Sequence, residues 1–233
     1  MKRTVACLLI LMTAFASSGG AAASRTADCQ DVSRYFEQVD DGVIGGMAEL
    51  IDLPGFREHF AAADRKTDSD GPGFFALSTA EREAIIAYLG MPGDALGAMD
   101  DAAIPEVVRD LHDSATKYWT LMADMMEAVS DDGPSAAMPY LNRLDRATSD
   151  NLAAQQAIGD ACADEVEAYA GMSQNLYASS DPFRDDLLDV WEDPDPDALQ
   201  GVGYNFLFHA VEASDVPTAT PDASTESLTR PAA

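Results

Sequence analysis

The chain has 233 residues, with 41 acidic against 14 basic side chains and a formal net charge of −27. No cluster of Lys and Arg is present to neutralise phosphates, which excludes ordinary nucleic-acid binding, and the same sign opposes adsorption on anionic membranes. Asp outnumbers Glu 29 to 12, and the only lysines are Lys2, Lys66 and Lys117. Short carboxylates hold water and cations without adding a long apolar stem. A surface built from them stays dispersed when salt screens charge, so the composition points to a saline setting.

The first residues point to export. Met1-Lys2-Arg3 is a short basic start, Val5 to Ala16 is an apolar run, and Ala21-Ala22-Ala23 supplies small residues. This is the pattern of a secretory signal peptide over residues 1–23, cleaved after Ala23; a retained N-terminal anchor is the alternative. The run is shorter than the roughly 20 apolar residues that span a bilayer, and no later segment reaches that length. Cleavage removes Lys2 and Arg3 and moves the net charge from −27 to −29. The expected compartment is periplasmic or extracellular. There Cys29 and Cys162, an isolated pair, are expected to form a disulfide. Nothing resembles a Cys-x-x-Cys redox or haem-attachment motif.

The apolar period is helical from Val32 onward. Val32, Tyr35, Phe36, Val39, Val43, Met47, Leu50 and Ile51 share one helix face. Asp28 is the expected N-cap, and Pro54-Gly55 ends the segment. Gly42, Gly45 and Gly46 inside it mark either a close helix contact or a break. A short helix over 56–65 follows, then a loop over 68–73. Ser78-Thr79-Ala80-Glu81 reads as a capping box that opens a helix running to Leu89, with Gly90 after it. The clearest helix covers 101–130, where Ile104, Val108, Leu111, Ala115, Tyr118, Met122, Met125 and Val129 alternate steps of four and three. Asp131 to Pro134 stop it. The stretch 135–178 is long for one helix. It is expected to divide near Ser149-Asp150-Asn151 or to kink at Gly159. A short helix over 181–191 and a last one capped by Asp197 complete the domain. The predicted fold is an all-α bundle of six to seven helices over residues 24–213, built around the antiparallel pair 101–130 and 135–178. Residues 214–233 carry almost no large apolar side chains, Val216 and Leu228 apart, and read as a disordered polar tail.

Motifs for chemistry are sparse. Asp68 and Asp70 begin like a calcium loop. Pro72 at the fifth position and Thr79 at the twelfth lack the required ligand oxygens, so a polar turn explains the residues better. His59, His112 and His209 form no metal-binding pair, and no metal or cofactor is expected. His112, Trp119 and Met126 lie in one row at seven-residue steps beside the 101–130 seam. They are the candidate ligand-pocket residues, though such a row also forms the edge of a wide core face. Nucleophile elbows, phosphate loops and dinucleotide fingerprints are absent. Three function classes remain, in descending order. The first is an exported, non-enzymatic helical module that binds a small molecule or protein. The second is a structural, envelope-associated acidic protein. The third is an enzyme with dispersed residues.

The charge count generates a prediction of its own. Carboxylates outnumber basic partners by 41 to 14, so folding brings like charges together. Salt shortens the screening length from about 30 Å at 0.01 M to about 3 Å at 1 M. The melting temperature, followed by circular dichroism, should therefore rise with sodium chloride, most steeply below a few tenths molar; a flat or falling trend contradicts the prediction.

Overall fold

The computed structural model describes residues 27–67, 73–179 and 199–208. Among these, every regular element is helical and none is a strand. The α-helices are α1 (Ala27–Asp52), α2 (Phe56–Thr67), α3 (Thr79–Gly97), α4 (Arg109–Asp132), α5 (Met138–Ala161), α6 (Ala163–Ser179) and α7 (Val202–Phe208). The expected leader, Asp68 and Asp70, the helix over 181–191, Asp197, His209 and the tail over 214–233 lie outside the described residues.

The apolar face predicted for α1 is the face it buries. Val32, Tyr35, Phe36, Val39, Val43, Met47 and Ile51 all belong to the main core. The same core takes in Met91 and Leu96 of α3, Leu111 and Ala115 of α4, Ala154 and Ile158 of α5, Tyr169 of α6, and Leu207 and Phe208 of α7. Farther along α4, Tyr118 and Leu121 form a second cluster with Leu144 and Ala147 of α5. The glycines of α1 do not break it; Gly42 and Gly46 face α3, while a Cβ on Gly45 would meet nothing within 4 Å. A Cβ on Gly46 would lie 2.9 Å from Met91 Cγ, so the absent side chain is what lets α3 seat against α1.

The helix α3 opens as the sequence indicates. The Ser78 hydroxyl accepts from Glu81 N–H, and Glu81 Oε2 accepts from Ser78 N–H, the two halves of a capping box. Lys66 Nζ of α2 donates to both Glu81 oxygens at 2.6 and 2.7 Å, which lowers the Glu81 carboxyl to about 2 and ties α2 to α3. The helix does not stop at Gly90; it continues through Pro92 to Gly97. Gly93 on this stretch serves packing: a Cβ there would lie 3.1 Å from the Thr120 backbone nitrogen, so α4 crosses α3 at close range.

The long antiparallel pair is present as α4 and α5, joined through Gly133 and a 3-10 turn at Pro134–Ala137. Two boundaries differ from the pattern-based expectation. Residues 101–108 form two 3-10 turns, Asp101–Ala103 and Glu106–Val108, interrupted by Pro105, which has no N–H for a helical ladder. The 135–178 stretch divides at Cys162, not at 149–151. Cys162 has φ −136° and ψ 52°, outside the helical region, and α6 starts directly after it. Asn151 is wholly buried in mid-α5, and its amide is spent on tertiary hydrogen bonds rather than on a cap.

The kink at Cys162 coincides with the covalent tie. Cys29 and Cys162 form a disulfide with Cα atoms 5.5 Å apart across a sequence separation of 133. It fixes the start of α1 to the α5–α6 corner. Chain-entropy arguments assign a loop of this length up to about 5 kcal/mol. Replacing both cysteines by serine should lower the unfolding free energy, measured by urea denaturation, by about 2–5 kcal/mol; no change would mean the disulfide leaves the unfolded chain as free as before.

Candidate functional site

One carboxylate in the apolar stripe of α1 is buried. Asp40 lies one turn after Phe36 and is 8% exposed. Its two oxygens take three donors. Oδ1 accepts from the Tyr169 hydroxyl of α6 at 2.5 Å and from Gly203 N–H at 2.8 Å, and Oδ2 accepts from Gly201 N–H at 2.7 Å. Gly201 and Gly203 open α7, whose first N–H groups have no intrahelical acceptor. Asp40 therefore caps α7 from another helix, with its charge at the positive end of the α7 backbone.

The two glycines make this approach possible. Gly201 has φ +86°, and a Cβ there would lie 2.4 Å from the Ser173 nitrogen. A Cβ on Gly203 would lie 2.6 Å from Val39 Cγ1, 2.7 Å from the Tyr169 hydroxyl and 2.9 Å from Asp40 Oδ1. Tyr169 is held in turn by its ring, which stacks on Phe36 with centroids 4.2 Å apart and planes 5° from parallel. Burial pushes the Asp40 carboxyl above its usual value, more than its hydrogen bonds from Tyr169, Gly201 and Gly203 pull it down, and neighbouring Asp41 adds to the rise. The Tyr169 phenol is raised too, by burial first and then by Asp40.

Polar side chains hold the far end of α7 as well. Trp119 Nε1 of α4 donates to the Phe206 carbonyl at 2.7 Å. From α5, Asn151 Nδ2 donates to the Leu207 carbonyl at 3.1 Å and Gln155 Nε2 to the Phe208 carbonyl at 2.8 Å. Asn151 Nδ2 also reaches Ser114 Oγ on α4, and Gln155 Nε2 reaches Asn151 Oδ1.

The residues singled out by spacing sit on the flank of α4 that faces α1, α3 and α7. His112 is buried, and its Nδ1 shares a 3.1 Å hydrogen bond with the Tyr35 hydroxyl of α1. Burial pushes the imidazole below its usual value and the Tyr35 phenol well above its own. Trp119 is half-buried with its indole N–H engaged on α7, and Met126 is half-buried farther along. None of the three lines either of the two clefts described next.

One cleft, about 430 Å³, lies between α4 and α5 over an alanine floor of Ala153, Ala154 and Ala157, with Lys117 donating across it to Asp150 at 3.4 Å. The other, about 370 Å³, lies between α1 and α6, and Leu199 and Gln200 also line it. Its wall includes Phe36, Asp40, Tyr169 and Met172, and its rim Glu37, Asp41 and Glu165. Among the described residues one group of potential metal ligands converges, Cys29, Cys162 and Glu165, and its two sulfurs are joined in the disulfide.

Asp40, Tyr169 and the 201–203 glycines belong to no motif in the sequence. The signal for Asp40 was a charged residue at an apolar position of an otherwise regular stripe, between Phe36 and Val43. Gly201-Val202-Gly203 at the start of an apolar segment carried the corresponding signal. No family model matches the chain, and no curated protein or solved structure does.

The hydrogen-bond set predicts how Asp40 variants behave. Asp40→Ala leaves the Tyr169 hydroxyl and two backbone N–H groups unsatisfied and should cost about 3 kcal/mol or more. Asp40→Asn keeps one acceptor but sets an amide N–H₂ among donors, and should cost less. The folded-state pKa of Asp40 is raised, so folding binds its proton more tightly, and its contribution to stability grows as pH falls through that pKa. The stability gap between the native chain and Asp40→Asn should therefore widen on acidification from neutral pH; a narrowing gap would show that the hydrogen bonds outweigh burial.

Proposed function

We propose that the protein is an exported, non-enzymatic helical binding module and that its ligand enters the cleft between α1 and α6. The observation that carries this reading is the cleft itself, about 370 Å³ with a wall of stacked rings, a buried carboxylate and bare apolar side chains. That volume falls in the range that holds small molecules, about 300–1,000 Å³. The wall is also built on fixed parts. Asp40 and Tyr169 are locked by their hydrogen bonds, and the disulfide holds α1 near the start of α6. Preorganised walls spend little binding energy on ordering.

Export rests on the residue pattern at 1–23 and on the disulfide, a bond that persists in oxidising compartments. Among the described residues no helix is long and apolar enough to cross a membrane. The acidic composition favours a second reading, an envelope-associated protein whose surface organises water and cations. The two readings differ in saturation. A thermal-shift screen of small metabolites against the native chain and Ala168→Trp, which fills the cleft, separates them. Saturable stabilisation of the native chain, lost in Ala168→Trp, is the expected result. Stabilisation by salts alone, without saturation and equal in both proteins, would favour the second reading.

A further inference from the structure

From the chemistry of that same cleft, and resting on the binding-module reading, we infer that its ligand is a small organic cation, an alkylammonium group on a short apolar body. Glu37, Asp40 and Asp41 line the cleft from α1 and Glu165 from α6, and no Lys, Arg or His is among its lining residues. The carboxylates have different parts. Asp40 is saturated by Tyr169, Gly201 and Gly203, so its charge sits fixed in the wall and contributes field rather than contact. Glu37 and Asp41 are exposed at the rim and Glu165 is half-buried across from them, and no ion pair to a described cation engages any of the three.

The spacing of these groups argues against a bare metal ion. Glu37, Asp40, Asp41 and Glu165 do not bring their oxygens together as a coordination shell; where ligand-type atoms do converge beside the cleft, they are Glu165 with the two disulfide sulfurs. Hard cations need several oxygens at about 2.0–2.6 Å. A larger, diffuse cation can bridge carboxylates too far apart to chelate. The rest of the lining suits its carbon body: Ile44 is half-buried, Ala168 is exposed, and Met172 is 42% exposed, a large apolar side chain left bare beside the charges. A thioether beside an apolar surface adapts to ligands of varied shape. Anions and zwitterions with an outward carboxylate are disfavoured by the wall, because like-charge juxtaposition in a partly desolvated site is repulsive.

The test must separate site binding from the cation cloud around a chain of net charge −27. The probes are choline, putrescine and tetramethylammonium. The uncharged control is 3,3-dimethylbutanol, a carbon isostere of choline. Titrations followed by calorimetry and by backbone amide shifts run in 0.5 M sodium chloride, where the screening length is about 4 Å. At least one cation should bind one-to-one, with shifts confined to α1, α6 and residues 199–203, and the alcohol should bind at least tenfold more weakly. Asp41→Asn and Glu165→Gln should each weaken binding about fivefold, the effect of roughly 1 kcal/mol, while Asp145→Asn on the outer face of α5 leaves it unchanged. Equal binding of the alcohol in the cleft would overturn the cation inference and leave the binding-module reading standing. Saturable binding of none of the three cations, or weakening by Asp145→Asn as large as by Glu165→Gln, would overturn the inference as well. If in addition neither the alcohol nor any screened metabolite shifts cleft residues, the binding-module reading falls with it.

Discussion

The structure depends on a buried carboxylate meeting the start of a short helix. Asp40 leaves α1 at a position its stripe would give to an apolar residue, and it accepts from Gly201, Gly203 and Tyr169. The described residues of α7, Val202–Phe208, draw their hydrogen-bond partners from the helices around them. The Gly201 and Gly203 N–H groups at its start are satisfied by Asp40 of α1, and its last described carbonyls by Trp119, Asn151 and Gln155. Between these polar ends Val202, Leu207 and Phe208 enter the main core. Four helices thus converge on α7, and the residues just before it also line the cleft between α1 and α6. An ionised group so deeply buried is tolerated only because every near oxygen has a donor. The glycines at 201 and 203 are the steric condition for that arrangement, since any side chain at either would displace backbone or Asp40 itself.

Much of the fold was legible in the chain. The α1 stripe, the Ser78–Glu81 capping box, the antiparallel α4–α5 pair and the Cys29–Cys162 bridge follow from periodicity, cap chemistry and cysteine count. The departures share one cause, tertiary contact overriding a local signal. Gly90 reads as the end of a helix, yet α3 runs through it to Gly97, packed closely on α4 at Gly93. Asn151 reads as a cap, yet it is buried and bonded to α4 and α7. Cys162 carries no local helix-breaking signal; the chain turns there beside the bridge to α1.

The site was less legible than the fold for a related reason. A row of His, Trp and Met at helical spacing draws notice, and His112 and Trp119 prove to be engaged with Tyr35 and Phe206. The cleft is lined instead by residues from three stretches far apart in sequence, whose types are common in so acidic a chain. With 41 carboxylates, the few that face a cavity cannot be told from those that face water until the helices are placed. Electrostatics also links the site to the whole molecule. The excess charge that opposes folding at low salt is the same field that would draw a cation toward the cleft, and both effects weaken as salt is added.

Hydrogen exchange at two backbone amides tests the Asp40–α7 interaction most directly. Gly201 and Gly203 donate to a buried carboxylate that also holds Tyr169, so their protons should be released only when α7 leaves α1. Because α7 is fixed at both ends into the main core, that opening should be close to global unfolding. Measured by NMR near neutral pH, both amides are expected to show protection comparable to that of Val39 and Val43 in mid-α1. Exchange within about tenfold of the rate of an unstructured amide, while α1 stays protected, would mean that α7 opens locally and that Asp40 does not hold the structure together.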